Sequence, residues 1–223
     1  MHPYVVSLKT LFEQNADPSQ AAPMKKYMRD QFEYLGIKTP QSLALQKEFY
    51  SKKGLPEIGE LDPILRDLWA LPPREFQYVA VGLLGRCKSQ IPAKSIKTIE
   101  YLIVTKSWWD TVDSLSAGTV SVHFLRFPEV REKYLAKWRA SENFWLRRST
   151  ILFQLDYKQN TDFELLCDII RENLGSKEFF INKAIGWALR QYARTDPRAV
   201  KKFVSATKEL SPLSRREAMK HLE

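Results

Sequence analysis

A chain of 223 residues, 44% hydrophobic and 27% charged, can bury a sizeable core and is neither wholly disordered nor fibrous. Thirty-five Lys and Arg against 26 Asp and Glu give a formal charge of +9, a balance that draws a chain to polyanions such as nucleic acid or simply keeps its surface solvated. No apolar run approaches the ~18 residues of a membrane-spanning helix, and Met1-His2-Pro3-Tyr4 does not open a secretory signal.

In chain order, Asp17-Pro18, Thr39-Pro40 and Asp62-Pro63, and later Asp196-Pro197, each set a capping side chain before a proline at a helix start. Leu61, Leu65, Leu68 and Trp69 form an apolar stripe at helical spacing, and Phe76, Val79, Ala80, Leu83 and Leu84 form a second. Ser107-x-x-Asp110 and Ser214-x-x-Glu217 resemble capping boxes. Between them lies a third stripe, Ile181, Ala184, Ile185, Ala188, Leu189 and Tyr192. With eight glycines and no sustained alternation, the pattern predicts an all-α protein of about ten to fourteen helices joined by short connections. Cys87 and Cys167 sit inside helical patterns, which argues against a disulfide framework or a cysteine zinc site and for a reducing cytoplasm.

A repeat runs through this pattern. Segments opening at Ser107, Ser141, Ser176 and Ser211 begin 34, 35 and 35 residues apart, and Pro72-Pro73-Arg74-Glu75-Phe76 lies 35 before the first. A helix pair recurring at that period predicts an α-solenoid with a concave face lined by the second helix of each pair. Residues 1–223 are read as one such domain; a globular all-α fold with coincidental spacing is the alternative.

Several chemistries lack their motifs. There is no phosphate-binding glycine loop, no nucleophile elbow, and His2, His123 and His221 are too scattered for a zinc site. No cofactor or metal is expected. If Ser107 caps its helix, Asp110 falls in the first turn and serves the helix dipole. Asp113 lies too deep to cap and four residues after Trp109, so indole and carboxylate share a face. Such a pair can hold a sugar ring and stabilise cationic charge on it, or can be core packing beside a lysine partner. Arg147-Arg148 near a helix start suits phosphate, or solvation, or an internal ion pair. Gly186 within a helix costs about 1 kcal/mol against alanine and implies close approach of another backbone. Trp187 and Arg190, three apart, set an aromatic beside a cation, or Trp187 is core.

Taken together, Pro23-Met24-Lys25-Lys26-Tyr27-Met28, Leu35-Gly36-Ile37, Leu71-Pro72-Pro73-Arg74-Glu75-Phe76-Gln77, Ser107-Trp108-Trp109-Asp110-Thr111-Val112-Asp113, Leu146-Arg147-Arg148, Ser176-Lys177-Glu178-Phe179-Phe180 and Lys183-Ala184-Ile185-Gly186-Trp187 resemble the AlkD-type DNA alkylation repair enzymes, which are HEAT-like-repeat DNA glycosylases. The resemblance implies hydrolysis of the N-glycosidic bond of cationic alkylpurines, 3-methyladenine and 7-methylguanine, in duplex DNA. It makes Asp113 the catalytic carboxylate, with Trp109 and Trp187 the aromatic pair flanking the deoxyribose. Arg148 becomes a phosphate contact, Tyr27 a contact near the damaged nucleotide, and Lys183 and Arg190 further DNA-binding residues. A monomer near the nucleoid, away from membranes, is expected.

After Thr39-Pro40, where the family usually carries an arginine or a pair of them, the run is Gln41-Ser42-Leu43-Ala44, so a DNA backbone contact from that loop is expected to be missing or shifted. The reading expects an ionised Asp113 facing a hollow; an Asp113 locked in an internal ion pair, or facing away from any hollow that could admit a duplex, would overturn the repair assignment. A silent binder of damaged or branched DNA, or a protein-interaction scaffold, would use the same repeats without the chemistry.

Overall fold

The computed structural model describes residues 1–222, and their regular elements are all helices, joined by short loops, apart from an isolated bridge between Glu33 and Pro73. The backbone gathers into two compact units, Met1–Ser95 and a second beginning at Ile96.

The first unit holds α1 (Pro3–Gln14), α2 (Pro18–Tyr27), α3 (Thr39–Lys53), α4 (Leu61–Ala70) and α5 (Arg74–Cys87). The stripes on α4 and α5 are buried to 3% exposure or less, and α1 adds Val5, Leu8 and Phe12, the last with its ring 5.8 Å from that of Phe76. Asp17 caps α2 as expected, accepting from the Ser19 N–H at 3.0 Å. Two other predicted caps are corrected. Thr39 is already helical, behind Lys38, and makes no cap bond. A 3₁₀ turn at Ile58–Glu60 runs straight into α4, so Asp62 lies inside the helix and pairs with Arg66 at 3.0 Å.

Two motif residues of this unit are structural. The buried Glu75 carboxylate accepts from the backbone N–H groups of Leu35, Gly36 and Ile37 at 3.1, 2.9 and 3.2 Å. Gln77 Nε2 donates to the carbonyls of Leu68, Trp69 and Leu71 at 3.3, 3.2 and 2.8 Å, serving groups the end of α4 leaves unbonded. Gly36 is required where it stands: its φ is +89°, and a Cβ would meet the Asp17 carbonyl oxygen at 1.9 Å.

The second unit holds α6 (Ile96–Val104), α7 (Trp109–Ser114), a π-helical turn (Leu115–Val120) that continues α7 into α8 (Ser121–Arg126), then α9 (Pro128–Arg139) and α10 (Phe144–Leu152). α11 (Phe163–Glu172), α12 (Phe179–Tyr192), α13 (Pro197–Ala206) and α14 (Pro212–Met219) complete it. The predicted period is real. α5, α7, α10 and α12 start at residues 74, 109, 144 and 179, each 35 after the last, and α14 follows 33 later.

Within this unit the second helices pack in series: α10 against α7 and the π turn, α12 against α10, and α14 against α12. This is the order an α-solenoid requires, since one helix pair cannot bury its apolar face alone. The third stripe supplies the α12 core, with Ile181, Ala184, Ile185, Ala188 and Leu189 buried and Tyr192 partly exposed. Asp196 caps α13, accepting from the Ala199 N–H at 2.9 Å. Both cysteines are buried and unbridged. No helix among the described residues is long and apolar enough to cross a membrane.

Candidate functional site

The chain enters α7 through an unusual turn. Lys106 has φ +46°, in the left-handed region that non-glycine residues rarely occupy. Ser107 is not the cap: its hydroxyl donates back to the Ile103 carbonyl at 2.6 Å, and Trp108, extended at φ −157°, takes the N-cap position without a side-chain bond. Asp110 does lie in the first turn, where it accepts from the Thr111 N–H at 2.8 Å.

One turn on, Asp113 meets α10. Arg148 Nε and Nη2 each reach one carboxylate oxygen at 2.8 Å, a bidentate pair. Its side-chain exposures are 3% for Arg148 and 15% for Asp113, so only the carboxylate keeps an edge to solvent. Arg148 also donates through Nη1 to the Phe180 carbonyl in the first turn of α12, tying three successive second helices together. Burial pushes the Asp113 carboxyl above the ordinary aspartate value. The hydrogen bonds and charge of Arg148 pull it back, and Asp110 adds a smaller upward push.

Two expectations are corrected here. Asp113 is held in the internal ion pair that was to overturn the repair assignment, yet its carboxylate keeps an exposed edge, so that condition was too strict; and Arg148 is too deeply buried to present its guanidinium to a phosphate. The repeat register explains both. Asp113 and Arg148 each lie four residues after the first residue of their helix, so packing α7 against α10 brings them side by side. A carboxylate has about four lone-pair positions, and a bidentate arginine takes two.

The pair has a built surround. Ser149 donates to the Trp145 carbonyl at 2.9 Å, and the Ser116 hydroxyl lies 2.9 Å from that of Ser149 and 2.6 Å from the Val112 carbonyl, fastening the π turn to α10. Isolated π turns within helices recur at functional sites. Trp108, Trp145 and Phe180 form an aromatic wall, with ring centroids 4.9 to 6.1 Å apart, and the Phe180 ring lies 5.8 Å from the Arg148 guanidinium.

α12 carries the other candidates. Lys183 stands at the same register position as Asp113 and Arg148, four after the helix start; Trp187, partly exposed, is one turn further and Arg190 three beyond that. Gly186 has the reason its position implied: a Cβ there would meet Glu217 Cβ at 2.5 Å and the Ser214 carbonyl oxygen at 2.9 Å. The Ser214-x-x-Glu217 capping box is corrected. Ser211 caps α14, accepting from the Ser214 N–H at 3.0 Å, while Ser214 is buried and donates to the Asn182 carbonyl at 2.8 Å.

Glu217, missed as a site residue, takes Lys183 Nζ at 2.8 Å and the Arg190 guanidinium. Lys183 and Arg190 are therefore paired, yet they keep side-chain exposures of 39% and 23%. A signal was available in the sequence: Glu217 follows Lys183 by 34 residues, nearly one repeat.

Tyr27 ends α2 in the first unit and is 74% exposed. The Gln41-Ser42-Leu43-Ala44 run lies inside α3, not in a loop. Gln41 reaches the Asn15 carbonyl at 3.4 Å, Ser42 is buried, and Leu43 is 52% exposed. Among the described residues no group of three or more His, Cys, Asp and Glu side chains is placed to hold a metal ion.

A series of helix pairs with a buried carboxylate–guanidinium pair between its second helices is the arrangement against which known proteins can be set. Residues 8–222 match the family model described as DNA alkylation repair enzyme, and the chain belongs to that family. A solved structure described as a predicted DNA alkylation repair enzyme from Enterococcus faecalis is 32% identical, with a TM-score of 0.85, over 93% of this chain and 96% of its own. No curated protein matches the chain. The family membership gives the protein a role in the repair of alkylation damage to DNA.

Proposed function

We propose that the protein is a monofunctional DNA glycosylase that releases cationic alkylpurines, 3-methyladenine and 7-methylguanine, from duplex DNA and leaves an abasic site. The observation that carries this reading is the Asp113 carboxylate, oriented by Arg148 and open to solvent on one edge, one turn from Trp109 on α7. An N3- or N7-alkylated purine already carries positive charge. It departs with the electron pair of the C1′–N bond and becomes neutral, so no general acid is needed. One carboxylate then suffices where most glycoside hydrolases use two.

As the bond breaks, positive charge moves onto the deoxyribose. The unspent lone pairs of Asp113 stabilise that charge and orient the water that adds to C1′, whose proton passes to solvent. Arg148 acts through Asp113: it fixes the carboxylate's plane and opposes its protonation. The indole faces of Trp109 and Trp187 favour the same cation. Lys183, Arg190 and Tyr27 are assigned to binding the duplex. The family match runs through both units, which supports reading residues 1–223 as one repair domain, and the protein is taken to act as a monomer on DNA in the cytoplasm.

The competing reading is a silent binder of damaged DNA, and the neutralisation of Asp113 by Arg148 is the observation that suits it. A single-turnover assay on a duplex carrying 7-methylguanine separates the two. Release of the base that Asp113→Asn abolishes is the expected result. Tight binding without release would assign the chain to the silent class.

A further inference from the structure

We infer that Glu217 is a positioning residue of this site, holding Lys183 and Arg190 on either side of Trp187 and thereby fixing where duplex phosphates lie against that indole. The inference rests on the glycosylase reading above. Lys183, Trp187 and Arg190 are spaced four and three apart, which places them on one face of α12. Glu217 divides its two oxygens between the cations, Oε1 to Lys183 and Oε2 to Arg190. One carboxylate thus spans the turn from which Trp187 projects.

That span depends on α14 lying unusually close to α12. Gly186, next to Trp187, has no side chain to hold α14 away, and the buried Ser214 hydroxyl fixes the register by donating to the Asn182 carbonyl at 2.8 Å. The cluster has two cations and one anion, so a net charge of +1 remains. An ammonium has three N–H donors and a guanidinium five, so a two-oxygen carboxylate leaves most of them for a phosphate. Glu217 is only 13% exposed. The hydrogen bond from Lys183, and after it that from Arg190, hold its carboxyl below the ordinary glutamate value, so it stays charged at neutral pH.

Positioning differs from simple attraction in its consequences. Removing the negative charge makes the face more cationic, which favours DNA, but leaves both cations without a fixed place. The full-length Glu217→Gln protein is therefore expected to bind an unmodified duplex at least as tightly as the parent. Its salt dependence should steepen by about one counterion, while its single-turnover release of 7-methylguanine at saturating enzyme falls about tenfold, to be read by that assay beside a fluorescence titration at two salt concentrations. A purely structural ion pair would not split affinity from rate in this way.

Glu217→Asp, one methylene shorter and unable to reach both cations together, should show an intermediate rate. It supplies the reading if Glu217→Gln does not fold. Parental release at saturation by either folded variant overturns the inference alone. A parent protein that releases no base overturns the glycosylase reading and this inference with it.

Discussion

Asp113 and Arg148 are each other's countercharge in a nearly closed space, and that changes what a substitution should do. Asp113→Asn is expected to abolish base release. It should also lose stability, because it leaves Arg148 buried beside a neutral amide. Breaking a buried pair costs on the order of 3 kcal/mol. Pairing Asp113→Asn with Arg148→Met should regain much of that stability and none of the release, a contrast that denaturant melts and single-turnover assays would expose.

The same pair sets a pH dependence. Catalysis requires the ionised carboxylate, and burial raises its pKa above the ordinary aspartate value. Release should therefore decline as pH drops through a point higher than an exposed aspartate would give. Arg148→Lys loses the bidentate hydrogen bonds that pull the value down, so its acid limb should move to higher pH. A limb that moves toward lower pH would contradict the assignment of Asp113 as the titrating group.

At the scale of helices, two glycines make opposite predictions. Replacing Gly186 by alanine gains about 1 kcal/mol of helix propensity but forces a methyl group into Glu217 and the α14 backbone, an overpacking that costs about 1–3 kcal/mol. Gly186→Ala should melt at a lower temperature and excise more slowly, because the displaced helix carries Glu217. At Gly85, near the end of α5, a Cβ would meet nothing within 4 Å, so Gly85→Ala should be stabilising by up to about 1 kcal/mol. A melt of both variants beside the parent tests the pair of signs. The sequence marked Gly186 as costly within a helix, but which backbone came close was not readable, because α14 lies about 30 residues further along the chain.

For the molecule as a whole, the repair family together with the excess of nine positive charges makes DNA the expected partner. Duplex affinity should fall steeply between about 50 and 200 mM salt as released counterions cease to favour binding. Near-constant affinity over that range would point to a protein-interaction scaffold instead. Charge alone gives only this sign, since it says how much positive surface exists and not where it lies.

The sequence by itself determined the helical class, the stripes that become the core and the 35-residue period, because each is written in local spacing that any helix must obey; the family came from the resemblance of its motifs. Tertiary packing decided what the charged residues do. Whether Arg148 faces a phosphate or a carboxylate, and whether Glu217 closes a cap or bridges two cations, depends on which residues meet when one second helix lies against the next. Asp113 and Arg148 are one full repeat apart and Glu217 follows Lys183 by 34 residues, and only the packing of one second helix on the next turns that spacing into bonds.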